Sequence, residues 1–327
     1  MNVLISIRQP VVAWSIPDAY VERLRRRLSD VTFTHALDER ADVDGIAFAD
    51  AAFTWTMSQA MLARAQKLRW VHSPAVAVGT LPLRELAARG VAITNSRGIQ
   101  SAAIAEHVIG CLLAVSKRLP LIIRNQDARR WVQNEMVGDA MPWLVRGRSM
   151  GIVGLGTIGQ AIAVRAAALG MRVVGVRRRP AGNIPEGVSA VVGADRVSDV
   201  IASSDVLVLA APWTASTDRL MSADAIRRMK RGSVLINVAR GQLVDEAALA
   251  SALADGHLAG AVLDVFNEEP LPSASPLWSA PNAIVTPHTS GFRADHWDAV
   301  VELFEAQIQR FRGGLPLLNT VDPQAGY

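Results

Sequence analysis

Three charged side chains in the second half of the sequence have the types needed for proton transfer beside a bound anion. Arg240 lies in INVARGQLVDEAAL, Glu269 in AVLDVFNEEPLP and His288 in IVTPHTSG. Each follows an apolar run typical of a buried strand, where a charge without a partner is costly. Because ligands bind at the carboxyl ends of parallel strands, we expect the three groups to meet there. An imidazole can transfer a proton near neutral pH, a carboxylate can orient it, and a guanidinium can hold an anion.

A glycine-rich turn earlier in the chain predicts a phosphate-binding site. Gly154, Gly156 and Gly159 form the pattern G-x-G-x-x-G within GLGTIG. The pattern follows the apolar run SMGIV and precedes the helical pattern QAIAVRAAAL, which is the context of a dinucleotide-binding turn. Gly154 can make the tight turn, Gly156 can admit a pyrophosphate, and Gly159 can bring the helix against the strand. The N–H groups and dipole of the helix N-terminus would then face the phosphates.

The next strand-like run, RVVGV, ends in three arginines at 177–179. An NAD-binding fold usually has a carboxylate about 20 residues after the glycines, bonded to the ribose hydroxyls. Here Arg177 stands 18 residues after Gly159, and no Asp or Glu occurs between Gly159 and Glu186. Guanidinium groups bind a 2′-phosphate through charge-assisted hydrogen bonds, whereas a carboxylate would repel it. The cluster favours NADP(H) bound by Arg177 and Arg178, with NAD(H) possible; a solvated basic turn is the alternative.

A nicotinamide beside these groups would suit them to the reduction of a carbonyl group. His288 would deliver the proton that the new alkoxide needs, and Glu269 would orient the imidazole and favour its protonated form. Arg240 would hold a substrate carboxylate and polarise the adjacent carbonyl. A lone histidine after a strand, or a lone Arg-Gly pair, is more often structural. Their combination with the glycine pattern favours catalysis.

Composition excludes other classes of protein. Half of the 327 residues are apolar, so the chain can bury a large core. The net charge is only +4, and no basic stripe with interleaved aromatics marks a nucleic-acid surface. The single cysteine, Cys111, excludes an internal disulfide and a multi-cysteine metal site, so we expect no metal. No leader and no apolar run of about 18 residues is evident, which favours a soluble cytoplasmic protein that does not bind membranes.

Apolar runs alternate with amphipathic helical patterns, which predicts parallel sheets covered by helices on both faces. Strand-like runs before residue 100 are NVLISI, VTFTHA, GIAFAD, LRWVHSP and VAITNS; later ones are SMGIV, RVVGV, DVLVLAA, GSVLINVA, GAVLDVF and NAIVTPH. A long apolar helix begins the second series, and residues 124–146 show no clear period. The final helical segment, HWDAVVELFEAQIQRF, is expected to pack back on the first sheet. The prediction is an α/β protein with two doubly wound parallel-sheet domains.

The ordered motifs GLGTIG, MKRGSVLINVARGQLVDEAAL, GHLAGAVLDVFNEEPLP, SPLW and TPHTSG resemble those of the D-isomer-specific 2-hydroxyacid dehydrogenase family. The resemblance covers nearly the whole chain, is most specific over 145–291, and includes AEHVIGCLLAVSKRLP at 105–120. It implies a flavodoxin-like substrate domain over 1–100 with 292–327, and a Rossmann dinucleotide-binding domain over 101–291. Arg177 stands where the family usually has an acidic residue. In this respect the sequence resembles the NADP-preferring glyoxylate/hydroxypyruvate reductase members.

The resemblance also assigns roles to matching positions. Arg240 matches the substrate-binding arginine, Glu269 the acid of the Glu-Pro signature, and His288 the acid/base of the Pro-His signature. Asp264 matches an aspartate that contacts the nicotinamide carboxamide. Further cofactor-binding positions are implied at Thr157, Ile158, Ala211, Pro212, Thr217, Val238, Ala239, Ser290 and Gly291.

The family binds the substrate carboxylate with backbone N–H groups of a loop that corresponds to AVAVG, residues 75–79. The family's glycine is Ala77 here and its acid is Gly79, so the loop departs from the usual pattern. This loop and FADAAFTW, which ends in Trp55, would enclose the substrate side chain. Besides Arg240 and His288, the substrate-binding positions implied are Val76, Ala77, Val78 and Gly79.

The resemblance further implies a homodimer built through the dinucleotide-binding domains. The helix near 101–118 and the arm after it would lie at the interface. Some relatives place an aromatic side chain of this arm in the partner's pocket, and Trp131 is the candidate here. We favour the interpretation that Trp131 packs within the interface and does not enter the partner's pocket.

The predicted function is the NADPH-dependent reduction of a small 2-oxoacid, such as glyoxylate, hydroxypyruvate or a relative, to the D-2-hydroxyacid. One alternative is an NAD-linked dehydrogenase of the phosphoglycerate or formate type. The absent ribose carboxylate disfavours the first, and formate oxidation needs no proton donor, which leaves His288 less explained. A dinucleotide-binding scaffold similar to a co-repressor is another alternative, although it would not need Arg240, Glu269 and His288 together.

Overall fold

The chain divides into two compact units, which are described separately. The computed structural model describes residues 1–180 and 182–326, so Ala181 and Tyr327, which the predicted domains include, lie outside the described residues. The first unit comprises Met1–Ile99 and the segment from Arg293 onward, and the second comprises Gln100–Phe292.

Helices and strands alternate along most of the chain. In chain order they are β1 (Asn2–Ser6), α1 (Asp18–Arg27), β2 (Thr32–His35), α2 (Glu39–Ile46), β3 (Ala51–Thr54), α3 (Gln59–Arg64), β4 (Trp70–Ser73), α4 (Leu83–Ala88), β5 (Ala92–Asn95), α5 (Ser101–Ser116), α6 (Leu119–Asp127), β6 (Ser149–Val153), α7 (Thr157–Ala168), β7 (Arg172–Val176), β8 (Ala190–Val192), α8 (Val197–Ser203), β9 (Val206–Leu209), α9 (Ala223–Arg228), β10 (Ser233–Asn237), α10 (Glu246–Ala254), β11 (Leu258–Leu263), β12 (Ala283–Val285) and α11 (His296–Arg312).

The first unit contains a parallel sheet in the order β2-β1-β3-β4-β5, which is the flavodoxin-like order. Successive side chains of a strand point to opposite faces. Val3 and Ile5 therefore pack with α1 and α11, while Leu4 packs with α2, α3 and α4. Phe304 of α11 stacks on Phe53, with ring centroids 4.0 Å apart. The prediction that the final helix packs on the first sheet is confirmed.

The strand predicted at GIAFAD, residues 45–50, is wrong. Helix α2 extends to Ile46, and the strand β3 begins only at Ala51. Ile46 is fully buried, whereas Phe48 is 66% exposed. The apolar alternation in this run therefore comes from the core-facing end of a helix and the turn after it, a local pattern that resembles a strand.

The second unit contains a parallel sheet in the order β12-β11-β10-β9-β6-β7-β8. Its first six strands in sequence follow the Rossmann order, and the direction of strand addition reverses between β6 and β9. Helices α5 and α7 cover one face, where Ile152, Val208 and Ile236 are fully buried. Helices α8, α9 and α10 cover the other face, where Leu207 and Leu235 are fully buried. The predicted fold class is confirmed.

The stretch at 124–146 has little regular structure, in agreement with its lack of a period. Helix α6 ends at Asp127, and two short 3-10 turns follow at Gln133–Glu135 and Gly138–Ala140. Arg118 holds this arm to the sheet, since its buried guanidinium donates to the carbonyl oxygens of Asp139 and Ala259. Across residues 1–180 and 182–326, no helix combines the length and apolar character needed to cross a membrane.

Candidate active site

The three charged groups singled out in the sequence follow three adjacent strands of the second unit. Arg240 comes after β10, Glu269 after β11 and His288 after β12, and these strands are neighbours in the sheet. The carboxyl ends of parallel strands lie at one edge, so the turns that carry these groups share that edge. The structure therefore brings the turns of all three residues to one side of the sheet.

His288 and Glu269 form a hydrogen-bonded pair. The Nδ1 atom of His288 lies 2.7 Å from Oε2 of Glu269, and the backbone N–H of Phe266 donates to Oε1 of the same carboxylate at 2.9 Å. Because a carboxylate accepts, Nδ1 is the donor. No residue of the described chain bonds Nε2 of His288, whose side chain is 49% exposed. The pair thus fixes the ring and leaves Nε2 accessible.

The turn that carries Arg240 is held by Asn237. The Asn237 side chain donates to the Arg240 carbonyl at 2.8 Å and accepts from the N–H of Ala239 at 3.1 Å. Burial lowers the pKa of Arg240, and the nearby Glu269 carboxylate opposes this shift. The guanidinium donates through Nη1 to the Ala239 carbonyl at 2.5 Å. Its other N–H groups have no acceptor among the residues described, so they can bind a carboxylate.

Gly241 is a site residue that the sequence reasoning missed. A Cβ atom at this position would lie 1.9 Å from the backbone carbon of Phe266. Only glycine therefore lets the turn after Arg240 pack on the turn that anchors Glu269. Its place directly after Arg240 in the sequence could have identified it as a site residue.

The three glycines of the phosphate-binding pattern differ in their surroundings. Gly154 has a φ of +101°, and a Cβ there would lie 2.4 Å from the N atom of Ala211. A Cβ on Gly159 would lie 2.2 Å from the Gly154 carbonyl oxygen, whereas one on Gly156 would meet no atom within 4 Å. In the described part of the chain, the N–H groups of Gly156, Thr157 and Ile158 have no acceptor. The open space and free donors at the start of α7 fit a pyrophosphate.

Arg177 and Arg178 directly follow β7, the neighbour of β6. Arg177 is half-buried and donates through Nη2 to the Pro180 carbonyl at 3.0 Å. Arg178 and Arg179 are exposed. The cluster therefore lies at the same sheet edge as the glycine turn.

The loop after β9 is closed by Thr217 rather than left open. Its hydroxyl donates to the Pro212 carbonyl at 2.8 Å and accepts from the N–H of Thr214 at 2.8 Å. Trp213, which the sequence reasoning did not single out, is exposed and donates to Asp218 at 2.8 Å. The remaining predicted lining positions are mostly buried, namely Ala211, Val238, Ala239 and Ser290, with Gly291 half-buried.

Asp264 is fully buried at the end of β11. Its Oδ1 accepts from the Thr286 hydroxyl at 2.6 Å and the Thr289 N–H at 2.8 Å, and Oδ2 accepts from the Ser290 N–H at 3.0 Å. All three donors lie in the segment that carries His288. Thr286 belongs to the quoted motif TPHTSG, although the sequence reasoning gave it no role.

The loop at 76–79 belongs to the first unit and follows β4. The Asn95 side chain donates to the Val76 carbonyl at 2.8 Å, and the N–H of Leu81 donates to the Val78 carbonyl at 3.0 Å. Within residues 1–180 and 182–326, no acceptor takes the N–H groups of positions 76–79. Ala77 and Gly79 are exposed, so these donors can bind an anion such as a carboxylate.

A metal centre is not indicated by the side chains present. The described residues contain no group of three or more His, Cys, Asp or Glu side chains that could hold a metal ion.

The chain is similar to known proteins in sequence and in structure. A family model described as D-isomer specific 2-hydroxyacid dehydrogenase, NAD binding domain, matches residues 109–290. The chain is 32% identical over 255 residues to a glyoxylate reductase of Korarchaeum cryptofilum, with 76% of this chain and 75% of that protein covered. It is 29% identical over 265 residues to a D-3-phosphoglycerate dehydrogenase of Methanocaldococcus jannaschii, covering 80% of this chain but only 49% of that protein.

A solved structure extends the similarity to both units. The D-isomer specific 2-hydroxyacid dehydrogenase from Xanthobacter autotrophicus Py2, in complex with NADPH and MES, superposes with a TM-score of 0.84 at 30% identity. The match covers 100% of this chain and 99% of that one. With the family model matching more than half of its residues, this chain belongs to the D-isomer specific 2-hydroxyacid dehydrogenase family, NAD(P)-dependent oxidoreductases that act on CH–OH groups.

Proposed function

We propose that this protein reduces a small 2-oxoacid, such as glyoxylate, hydroxypyruvate or a relative, to the D-2-hydroxyacid with NADPH. The observation that carries the proposal is the 2.7 Å hydrogen bond between His288 and Glu269 beside the buried Arg240 turn. This arrangement provides a proton donor, a group that orients it, and a cation for the substrate carboxylate.

His288 supplies the proton in this scheme. NADPH, when bound, supplies the hydride for the substrate carbonyl carbon. The Nε2 atom of His288 releases its proton to the carbonyl oxygen as that oxygen becomes an alkoxide, while Nδ1–H remains bonded to Glu269. The Glu269 carboxylate stabilises the imidazolium before the transfer and keeps the ring from rotating. Solvent can restore the proton, because the His288 side chain is 49% exposed.

Arg240 holds the substrate in this scheme. Its N–H groups would bind the substrate carboxylate and draw electron density from the adjacent carbonyl. Arg240 is half-buried, and this partial removal from water strengthens its electrostatic interactions. In the first unit, the N–H groups at 76–79, which no acceptor in the described chain takes, are suited to bind an anion such as a carboxylate. We assign the substrate domain to the first unit and the dinucleotide-binding domain to the second.

The preferred cofactor in this proposal is NADP(H). Arg177 and Arg178 stand where an NAD-specific site has its acid, and no carboxylate occurs between Gly159 and Glu186. The Xanthobacter relative, crystallised with NADPH, supports this choice. Cells usually keep NADPH reduced, so the preferred direction is reduction. The similarity to a phosphoglycerate dehydrogenase keeps an NAD-linked enzyme as the second candidate.

A homodimer is also proposed. The arm after α5 exposes a series of large apolar side chains, and such patches commonly mark protein interfaces. They are Leu119, Ile123, Trp131, Val137, Met141 and Leu144, with Trp131 89% exposed. Light scattering after size-exclusion chromatography should give twice the chain mass of 35.1 kDa. A monomer would contradict this part of the proposal.

A panel of 2-oxoacids tests the proposed activity. Glyoxylate, hydroxypyruvate, pyruvate, phenylpyruvate and 3-phosphohydroxypyruvate would each be assayed for the oxidation of NADPH and of NADH, and the products analysed for configuration. We expect a short 2-oxoacid to oxidise NADPH and to yield the D-isomer wherever the product is chiral. Binding of NADPH without turnover of any panel member would favour a scaffold, and activity confined to 3-phosphohydroxypyruvate with NADH would favour the second candidate.

A further inference from the structure

Asp264 organises the segment on both sides of His288. Its buried carboxylate accepts from Thr286 before this residue, and from the backbone of Thr289 and Ser290 after it. His288 has a φ of +54°, a left-handed conformation that residues other than glycine rarely adopt. Such a conformation persists only where the surroundings enforce it. The three hydrogen bonds to Asp264 provide that constraint.

Thr286 is in turn held by His107 of α5. The Thr286 hydroxyl has one hydrogen, which it donates to Asp264 at 2.6 Å. Its oxygen can therefore only accept from Nε2 of His107, which lies 3.3 Å away. This assigns the His107 proton to Nε2. Burial lowers the pKa of His107, so the ring is neutral near pH 7, although the Asp264 charge opposes the shift.

We infer that His107, Thr286 and Asp264 are positioning residues that hold His288 in register with Glu269. This inference rests on the proposed role of His288 as proton donor. The chain of contacts runs from α5 through Thr286 to the buried carboxylate, and from there to the backbone on the far side of His288. Loss of one link would remove a constraint on the left-handed backbone of His288 and shift the imidazole relative to Glu269.

This role differs from the one that the family resemblance implies for Asp264. A contact to the nicotinamide carboxamide would make Asp264 a determinant of cofactor affinity. Here the carboxylate has no exposed surface, and the three hydrogen bonds at its oxygens come from 286–290. The positioning role therefore predicts a defect in proton transfer without a matching defect in cofactor binding.

Two pairs of variants test the inference on the full chain. Thr286→Val removes the hydroxyl and Thr286→Ser retains it, while His107→Leu removes the donor and His107→Gln supplies an N–H in a similar place. We expect Thr286→Val and His107→Leu to lower kcat by about 10- to 100-fold, since misplacement of a reacting group by about 1 Å can cost 100-fold. The solvent deuterium isotope effect on kcat should rise, and Thr286→Ser and His107→Gln should recover most of the loss.

Binding of NADPH, measured by fluorescence titration without any 2-oxoacid, provides the second readout. We expect its Kd to remain close to that of the wild type in all four variants. A loss of NADPH affinity that matches the loss of kcat, with an unchanged isotope effect, would overturn the inference in favour of the carboxamide contact. Unchanged kcat in both Thr286→Val and His107→Leu would also overturn it. If Thr286→Val does not fold, as judged by circular dichroism, the His107 pair decides.

His288→Asn separates this inference from the proposed function. If His288→Asn loses turnover while Thr286→Val and His107→Leu retain it, the proton donor stands and only the positioning role fails. If His288→Asn turns over like the wild type, both fail. Loss of turnover in all three, with retained NADPH binding, supports both.

Discussion

The Nδ1 atom of His288 lies 2.7 Å from Oε2 of Glu269, and the two side chains follow the adjacent strands β12 and β11. Because the Glu269 carboxylate is itself fixed by the N–H of Phe266, the imidazole has one orientation, and its Nε2 has no partner among the described residues. The pair is therefore suited to deliver one proton to one point at the edge of the sheet.

Replacing His288 with Ala removes this donor. We predict that kcat falls by about 10²- to 10⁴-fold, the usual contribution of general acid catalysis, while NADPH affinity is nearly unchanged. Steady-state kinetics and fluorescence titration measure the two quantities. Glu269→Gln is the matched variant: it keeps the size of the side chain but removes the charge, so it should show a smaller loss. Retained turnover in His288→Ala would show that the proton comes from another group.

The glycines of the phosphate-binding turn should separate binding from stability. Gly156 has a φ of −83° and open space around it, so Gly156→Ala should fold with a stability change within about 0.5 kcal/mol. The added methyl group would occupy the space proposed for the pyrophosphate and weaken NADPH binding by about tenfold or more, or about 1.4 kcal/mol.

Gly154→Ala is the contrasting variant. Its φ of +101° and the 2.4 Å approach to Ala211 should lower the midpoint of thermal unfolding. Thermal denaturation and NADPH titration of both variants provide the comparison. Normal NADPH affinity in Gly156→Ala would contradict the proposed phosphate site.

The arginines after β7 should determine cofactor choice. Changing Arg177 to Asp and Arg178 to Ala together removes donors for a 2′-phosphate and adds a repulsive charge. Since hydrogen bonds to charged groups contribute about 1.5–3 kcal/mol each, NADPH affinity should fall by at least about tenfold while NADH affinity changes little. Arg179→Ala, at an exposed position, is the control and should leave both Kd values unchanged. Equal losses of affinity for NADPH and NADH would indicate that the cluster is only a solvated basic turn.

His296 should make the first unit less stable in mild acid. The residue is 5% exposed, and neither ring nitrogen has a hydrogen-bond partner in the described chain. Burial lowers the pKa of His296 to about 4, with a further lowering by Arg293 that Asp295 opposes. The unfolded chain binds this proton near pH 6.5, so the stabilisation is complete above that pH. It is lost as the pH falls towards 4, at up to about 1.4 kcal/mol per unit of pKa difference.

His296→Phe removes this dependence and keeps the aromatic contacts to Trp14 and Trp297. We predict that the variant gains stability over the wild type, and that the gain is larger at about pH 5 than at about pH 7. Urea unfolding followed by tryptophan fluorescence measures both values. A gain that is the same at the two pH values would contradict the titration of His296. Burial also lowers the pKa of His72, to about 3. Because His72 is present in both the wild type and the variant, its effect on stability cancels in the comparison.

The sequence was sufficient to predict two parallel sheets and the placement of Arg240, Glu269 and His288 at strand ends, although it missed β8 and misplaced β3. Apolar runs, turn residues and the glycine pattern are local signals, and in parallel sheets they also determine which edge a residue occupies. The error at GIAFAD has the same origin, because a short apolar run at the end of α2 resembles a strand when only local periodicity is considered.

Contacts between distant segments could not be predicted in this way. His107 and Thr286 are 179 residues apart in sequence, and their contact depends on how α5 lies on the sheet. The partners of Asp264 depend on the register between β11 and β12, which pairs Leu263 with Val285. The requirement for glycine at 241 likewise arises only when two turns from different strands pack together.

The most direct measurement is kcat/KM for glyoxylate and for hydroxypyruvate, with NADPH and with NADH, on one preparation of the full chain. We predict turnover of at least one of these 2-oxoacids, with a kcat/KM for NADPH that exceeds the kcat/KM for NADH by about tenfold or more. A tenfold ratio corresponds to about 1.4 kcal/mol, which one charge-assisted hydrogen bond to the 2′-phosphate can supply. Failure of every short 2-oxoacid to oxidise NADPH would contradict the proposed function.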